Sequence, residues 1–221
     1  MIEPRLPRRG FLRRVMIAGA ALGLPPAAVL AAQDRPRAAP DPDEEWLRKL
    51  DGKHRQLFDT PVLQGGKALS QAKNFLDAYN QAYGMPDREL SVLIVAHGGA
   101  FPLVFDDATW ERFGLGERFK VQDAATGAPA RRNVFSSVRA GDPVPADASV
   151  VALQRRGVVF VLCNNTLKRT TGEIAKARNE TPEAVRSELL KGLLPGVSVV
   201  PAAVLAINRA QEAGLTYVYA G

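Results

Sequence analysis

The sequence predicts an α/β protein in which a mainly parallel sheet of about five strands carries helices on both faces. Short apolar runs rich in Val, Ile and Phe, which are typical of buried strands, alternate along the chain with stretches whose apolar residues recur at helical spacing. Most connections between these segments are short. Such alternation is characteristic of parallel sheets that are covered by helices.

Five segments have the composition of strands. They are 54–59, Leu90–Ala96, 158–162, 197–200 and 215–220. The first is short and could instead be an extended lead-in. The third is an unbroken apolar run, as expected of a central strand that is covered on both faces, and the second is another buried strand.

Helices are predicted where apolar residues recur at spacings of three and four. The clearest helix follows Gly65-Gly66, stops at Gly84 and has one apolar face, formed by Leu69, Ala72, Phe75, Leu76, Tyr79, Ala82 and Tyr83. Asp106 or Asp107 is expected to cap a short helix. Further helices are predicted over 148–156, 166–178, 181–191 and 202–213. In the last two, the residues expected to face inward are Val185, Leu189, Leu190, Leu193, Leu205 and Ile207.

The amino-terminal segment has the features of a twin-arginine export signal. It contains the pair Arg8-Arg9, then a mildly apolar stretch over 15–30, then small residues suited to cleavage. The apolar stretch is shorter than the roughly 20 helical residues that span a bilayer, so a membrane anchor is the weaker alternative. We expect a signal peptide over 1–32, a linker over 33–52 and one domain over 53–221, located in the periplasm.

Basic charge is concentrated in that same segment. The chain has a formal net charge of +6, and residues 1–32 contribute five arginines minus one glutamate, or +4 of this total. The remainder is therefore nearly neutral. This balance predicts no nucleic-acid partner, and no membrane association once the signal has been removed.

The chain has a single cysteine, Cys163, which follows the predicted strand 158–162. The carboxyl ends of parallel strands face the ligand crevice in open α/β sheets, so the thiol lies where chemistry usually occurs. Asn164, Asn165 and Thr166 can cap a helix, and helix-terminal amides would favour a thiolate. A buried, inert thiol is the alternative, because free cysteine is among the most buried residue types.

His97 ends one predicted strand as Cys163 ends another. If the two strands are neighbours, the imidazole and the thiol line the same crevice, and His97 can support a nucleophilic sulfur. We therefore take Cys163 and His97 as candidate catalytic residues. The candidate substrate-binding residues around them are Gly98, Gly99, Asn164, Asn165 and Thr166.

Other site types have less sequence support. A metal site would use the same pair with His54, but closely spaced ligands are missing. The chain also has no Walker loop, no dinucleotide-binding glycine motif and no HExxH, and no cofactor is predicted. The irregular span 114–147 is long enough to be functional or an interface. Arg131-Arg132 within it could bind an anion or simply be solvated.

Four motifs, in order, resemble those of DsrE/DsrF-like proteins. They are His97-Gly98, the GVVFVLC strand ending at Cys163, the LPGV turn at 194–197 and the QEAGLTY unit at 211–217. The resemblance implies a three-layer, flavodoxin-like α/β/α domain that assembles into trimers or hexamers. In several members a cysteine carries sulfur as a persulfide, and Cys163 matches that position. Export and the long 114–147 span depart from the family pattern.

The expected function is therefore that of a periplasmic sulfur-binding or sulfur-transfer protein, which resembles a sulfurtransferase and works with a sulfur donor or acceptor protein. The alternative is a non-catalytic homo-oligomeric binding protein in which the cysteine is structural. Whether the chain is an enzyme depends on the reactivity of Cys163.

Overall fold

The computed structural model describes residues 44–221, in which five strands form one sheet in the order β4-β3-β2-β1-β5. The strands are β1 (His54–Thr60), β2 (Leu90–Ala96), β3 (Val159–Cys163), β4 (Ser198–Val200) and β5 (Thr216–Tyr219). Every neighbouring pair is parallel. The predicted five-stranded parallel sheet is confirmed, and segment 54–59 is a strand.

Helices cover both faces of this sheet and make a three-layer α/β/α fold. They are α1 (Glu45–Arg48), α2 (Lys67–Tyr83), α3 (Asp107–Phe113), α4 (Leu115–Arg118), α5 (Val150–Arg155), α6 (Asn164–Arg178), α7 (Pro182–Lys191) and α8 (Ala203–Glu212). The longer helices α2 and α6 pack on one face, and α1 and α8 pack on the other. Within residues 44–221, no helix has both the length and the apolar character that crossing a membrane requires.

Helix boundaries follow the capping residues that the sequence provides. Asp106 accepts the amide of Thr109 and starts α3, which settles the choice between the two aspartates. Thr181 caps α7, whose first residue is a proline. Gly84 ends α2 at φ 62°, a left-handed conformation that glycine adopts without a steric penalty.

The inward face of α8 is formed by small residues. Ala203, Ala206 and Ala210 are buried, whereas Leu205 is 43% exposed. The prediction that Leu205 faces inward is therefore wrong, because alanines at i, i+3 and i+7 let the helix lie close to the sheet. Leu190 of α7 and Tyr83 of α2 are likewise exposed rather than buried.

The domain begins earlier than the sequence predicts. Trp46, Leu47 and Leu50 are buried against the sheet face that carries α8. Glu44 also forms an ion pair with Arg209 of α8 at 2.8 Å. The assignment of 33–52 to a linker is thus wrong at its carboxyl end, because three large apolar side chains complete the core there. The predicted signal peptide and linker residues 33–43 lie outside the described residues.

The long span 114–147 is anchored to the domain by a minority of buried residues. Asn133 is fully buried, and its side-chain amide donates to the carbonyls of Leu103 and Phe105. Arg132 is buried and paired with Asp142, so it is not available to bind an external anion, whereas Arg131 is 85% exposed. Buried polar side-chain contacts therefore help to hold this span, which has few of the regular backbone hydrogen bonds of helices and sheets.

Candidate functional site

The single cysteine lies at a direct strand-to-helix junction. Cys163 is the last residue of β3 and the residue before α6, which begins at Asn164. No side chain caps α6. The prediction that Asn164, Asn165 or Thr166 caps this helix is therefore wrong, because all three already lie within its first turn.

The thiol is buried between the sheet and the start of another helix. Cys163 is 5% exposed and packs in the core cluster beneath α8. Its Sγ accepts the backbone N–H of Ala203, the first residue of α8, at 3.3 Å. A backbone donor at a helix N-terminus stabilises negative charge on sulfur. The burial of Cys163 also restricts access to the thiol.

The sheet register places His97 beside Cys163. Strand β2 pairs with β3 up to Ala96 and Leu162, so the next residue of each chain segment is His97 and Cys163. The predicted neighbouring strands are therefore confirmed. The imidazole, however, forms a hydrogen bond to a different residue: Nε2 of His97 lies 2.7 Å from Oδ1 of Asp59 on β1.

Asp59 links the histidine to a tyrosine on the edge strand. The carboxylate is 13% exposed, and its Oδ2 accepts the hydroxyl of Tyr217 on β5 at 2.7 Å. This hydrogen bond, together with burial and the nearby negative charge, raises the pKa of Tyr217 to about 12. The phenol therefore remains a donor at neutral pH. The result is a connected array of Tyr217, Asp59 and His97.

Sequence reasoning missed both Asp59 and Tyr217. In the sequence, Asp59 is a carboxylate near the end of a short strand of mixed composition, and Tyr217 closes the QEAGLTY unit without any indication that it contacts Asp59. Their contact requires β5 to pair with β1, although about 160 residues of chain separate the two strands. The strand order, rather than a local motif, assembles this array.

The predicted substrate-binding residues have separate roles. The amide of Gly98 donates to Thr166 Oγ1 at 3.0 Å, which joins the end of β2 to the start of α6. Gly99 donates to the carbonyl of Pro61. Asn164 accepts from Arg186 at 2.8 Å, and Asn165 is exposed. The structure thus brings Gly98 and Thr166 together, whereas the contacts of Gly99 and Asn164 hold neighbouring segments of the chain.

Gly98 is required by its surroundings. Its φ is 54°, and an added Cβ would lie 2.8 Å from the carbonyl oxygen of Pro61. A side chain would therefore be both strained and crowded at this position. This close approach fixes the turn that follows His97.

His54 is not part of the Cys163 site. It begins β1, stacks on Tyr79 with ring centroids 4.6 Å apart, and lies at the opposite end of the strand from Asp59. A metal site that combines His54 with His97 and Cys163 is therefore wrong. Across residues 44–221, no group of three or more His, Cys, Asp and Glu side chains is arranged to hold a metal ion.

No protein-family model matches this chain, and no curated protein matches it. Among solved structures, it is similar to a protein of unknown function from Methanobacterium thermoautotrophicum. That likeness covers 76% of this chain and 99% of the other, at 18% identity and a TM-score of 0.40, and it carries no argument about function. The resemblance to DsrE/DsrF-like proteins stays a prediction, while the strand order and layers define the fold.

Proposed function

We propose that this protein carries sulfur as a persulfide on Cys163. The observation that supports the proposal most directly is the position of Sγ, which lies at the carboxyl end of β3 and accepts a helix N-terminal amide from Ala203 at 3.3 Å. His97 directly follows the adjacent strand β2, and we assign it as the proton acceptor for the thiol. Either of these features favours a nucleophilic sulfur.

The chemistry requires no external oxidant when the donor already contains sulfane sulfur. The Cys163 thiolate attacks the outer sulfur of thiosulfate, a new S–S bond forms, and the S–S bond of the donor breaks. Sulfite leaves with the electron pair, and the proton of the original thiol passes to His97. Transfer to an acceptor thiolate repeats the same exchange in the opposite direction.

A second candidate function is that of a non-catalytic binding protein. Its supporting observation is the burial of Cys163, which is only 5% exposed. In that case the amide of Ala203 and the thiol make a structural contact. Alkylation separates the two functions: a sulfur carrier reacts rapidly in the folded state, whereas a structural thiol reacts only after unfolding.

We also propose export to the periplasm and assembly into a homo-oligomer. Support for export comes from the Arg8-Arg9 motif, and support for assembly from the family resemblance and from exposed Val204 and Tyr219. Fractionation of cells that express an Arg8→Lys, Arg9→Lys double variant tests export. Sedimentation of the purified protein tests assembly.

Mass measurement tests the sulfur carrier. The purified protein is incubated with thiosulfate or glutathione persulfide and compared with a Cys163→Ser variant. We expect the wild-type protein to gain one or more sulfur atoms that a reductant removes, and the variant to gain none. Because the chain has a single cysteine, the site is unambiguous. Absence of an adduct with both donors, together with slow alkylation of the folded protein, favours the binding protein instead.

A further inference from the structure

We propose that Asp59 and Tyr217 position His97 for proton transfer, with Asp59 holding the imidazole in the tautomer whose proton is on Nε2. This inference rests on the proposed function, because it assigns the proton acceptor for the Cys163 thiol. Asp59 and Tyr217 act through His97 and are positioning residues.

The tautomer follows from the chemistry of the partner. An ionised carboxylate only accepts hydrogen bonds, so the 2.7 Å contact between Oδ1 of Asp59 and Nε2 of His97 requires Nε2 to donate. In the neutral ring the other nitrogen, Nδ1, then carries the free lone pair. His97 can therefore accept a proton at Nδ1 while Asp59 stabilises the resulting positive charge.

Backbone hydrogen bonds hold the main chain of His97, so that only the direction of its imidazole ring remains to be set. Its amide donates to the carbonyl of Thr60 at 3.1 Å, and its carbonyl accepts the amide of Ala100 at 2.9 Å. These bonds fix the main chain at the end of β2. The bond to Asp59 then sets the direction of the imidazole, whose side chain is 26% exposed and remains accessible to a small reactant.

Tyr217 completes the arrangement by holding the carboxylate. Its hydroxyl donates to Oδ2 of Asp59 at 2.7 Å, which leaves Oδ1 for His97. The side chains follow the strand order, from Tyr217 on β5 through Asp59 on β1 and His97 directly after β2 towards Cys163 on β3. Tyr219 also lies near this array: it pairs with Asp59 in the β1–β5 register, and it contributes to the raised pKa of Tyr217.

Nitrogen NMR tests the tautomer without depending on sulfur transfer. The chain has only two histidines, so a His54→Gln variant labelled with ¹⁵N-histidine reports His97 alone. At alkaline pH, where the ring is neutral, we expect Nε2 to be protonated and Nδ1 to be bare. In Asp59→Asn the preference is lost, because an amide can either donate or accept.

The rate of sulfur loading from thiosulfate gives the second readout. We expect Asp59→Asn to slow loading by about tenfold or more, as is typical of impaired acid–base catalysis, and Tyr217→Phe to slow it less. Tyr219→Phe is the matched control, since this tyrosine lies on the same strand and face; it should leave both the tautomer and the rate unchanged.

A proton on Nδ1 in the wild-type chain would overturn the inference, as would an Asp59→Asn variant with unchanged tautomer and rate. Thermal unfolding of each variant shows whether a slower rate of sulfur loading comes from misfolding. If Asp59→Asn is misfolded, the conservative Tyr217→Phe variant decides whether the array affects the loading rate. If neither thiosulfate nor glutathione persulfide loads the wild-type protein, the proposed function fails. The ¹⁵N signals of His97, measured with Asp59 present and in the Asp59→Asn variant, would then support or overturn the assigned tautomer by themselves.

Discussion

Gly116 is required by the backbone that it faces rather than by its own dihedral angles. A Cβ at this position would overlap the backbone of Ala130, which belongs to another part of the same long span. We expect Gly116→Ala to reduce the free energy of unfolding by about 2 kcal/mol or more, because backbone atoms cannot move aside as a flexible side chain can. Urea denaturation measures this change.

Gly172 provides the matched control for that measurement. It lies in the interior of α6, is exposed, and an added Cβ would meet nothing within 4 Å. Gly172→Ala should therefore stabilise the protein by roughly 0.5–1 kcal/mol, the usual gain from replacing glycine in a helix. Equal effects of the two substitutions would contradict the steric explanation for Gly116.

At the residue scale, the sequence identified Cys163 and His97, at one end of the array, but not Asp59 and Tyr217 at the other. Cys163 and His97 could be predicted because each follows a predominantly apolar run, which is a local pattern. Asp59 and Tyr217 could not, because their contact depends on which strands pair. Leu205 was misplaced for a different reason: size suggested burial, whereas the close approach of α8 to the sheet selects alanine.

At the scale of elements, Arg156 joins three segments of the chain. It follows α5, and its guanidinium contacts Asp77 at 2.7 Å and Asn80 at 2.9 Å on α2, and Asp87 at 2.8 Å before β2. Hydrogen bonds from Arg156 hold the pKa of Asp87 below its usual value, although burial opposes this. The pKa of Asp77 is also lowered, first by Lys73 and then by Arg156.

Replacing Arg156 with alanine should therefore destabilise the protein in a pH-dependent way. We expect a loss of about 1–3 kcal/mol at neutral pH, since hydrogen bonds to charged groups are broken. A carboxylate whose pKa is lowered by folding stabilises above its unfolded pKa, near 4, and this contribution disappears as the pH falls through the folded value. The difference between the variant and the wild-type protein should thus shrink in acid.

The adjacent arginine is the control for this element. Arg155 is exposed, so Arg155→Ala should change the free energy of unfolding by less than about 0.5 kcal/mol at any pH. Denaturant curves for both variants between neutral and acidic pH make the comparison. A loss in the Arg156 variant that is independent of pH would indicate lost packing rather than lost charge pairing.

At the scale of the whole molecule, the alternation of strands and helices was enough to predict the sheet, its parallel strands and the layers. Right-handed crossovers then restrict the possible strand orders, although they do not select one. The span 114–147 could not be predicted in the same way, because its structure comes from buried polar side chains that lack periodicity. Its adjacent arginines, Arg131 and Arg132, look alike in the sequence and differ only through the tertiary fold.

Those two arginines give a test of whether the long span unfolds together with the rest of the domain. Arg132 donates to both carboxylate oxygens of Asp142 at 2.8 Å, and the Asp142 side chain is fully buried. Burial opposes ionisation of Asp142, but Arg132 and, to a smaller extent, Arg139 more than offset it and hold the pKa of this carboxyl below its usual range. Arg132→Met would leave a buried carboxylate without its main partner.

We expect Arg132→Met to lower the free energy of unfolding by about 3–5 kcal/mol, the cost of breaking a buried ion pair, and to expose the span to proteolysis. Arg131→Met should change it by less than about 0.5 kcal/mol, because that side chain is 85% exposed and its contact with Glu111 is 3.7 Å long. An Arg132→Met, Asp142→Leu double variant should recover part of the loss, since it removes the unpaired charge as well. A protease could cleave the Arg132→Met variant within 114–147 while its urea midpoint equals that of the wild-type protein. That result would mean that the span opens independently of the sheet.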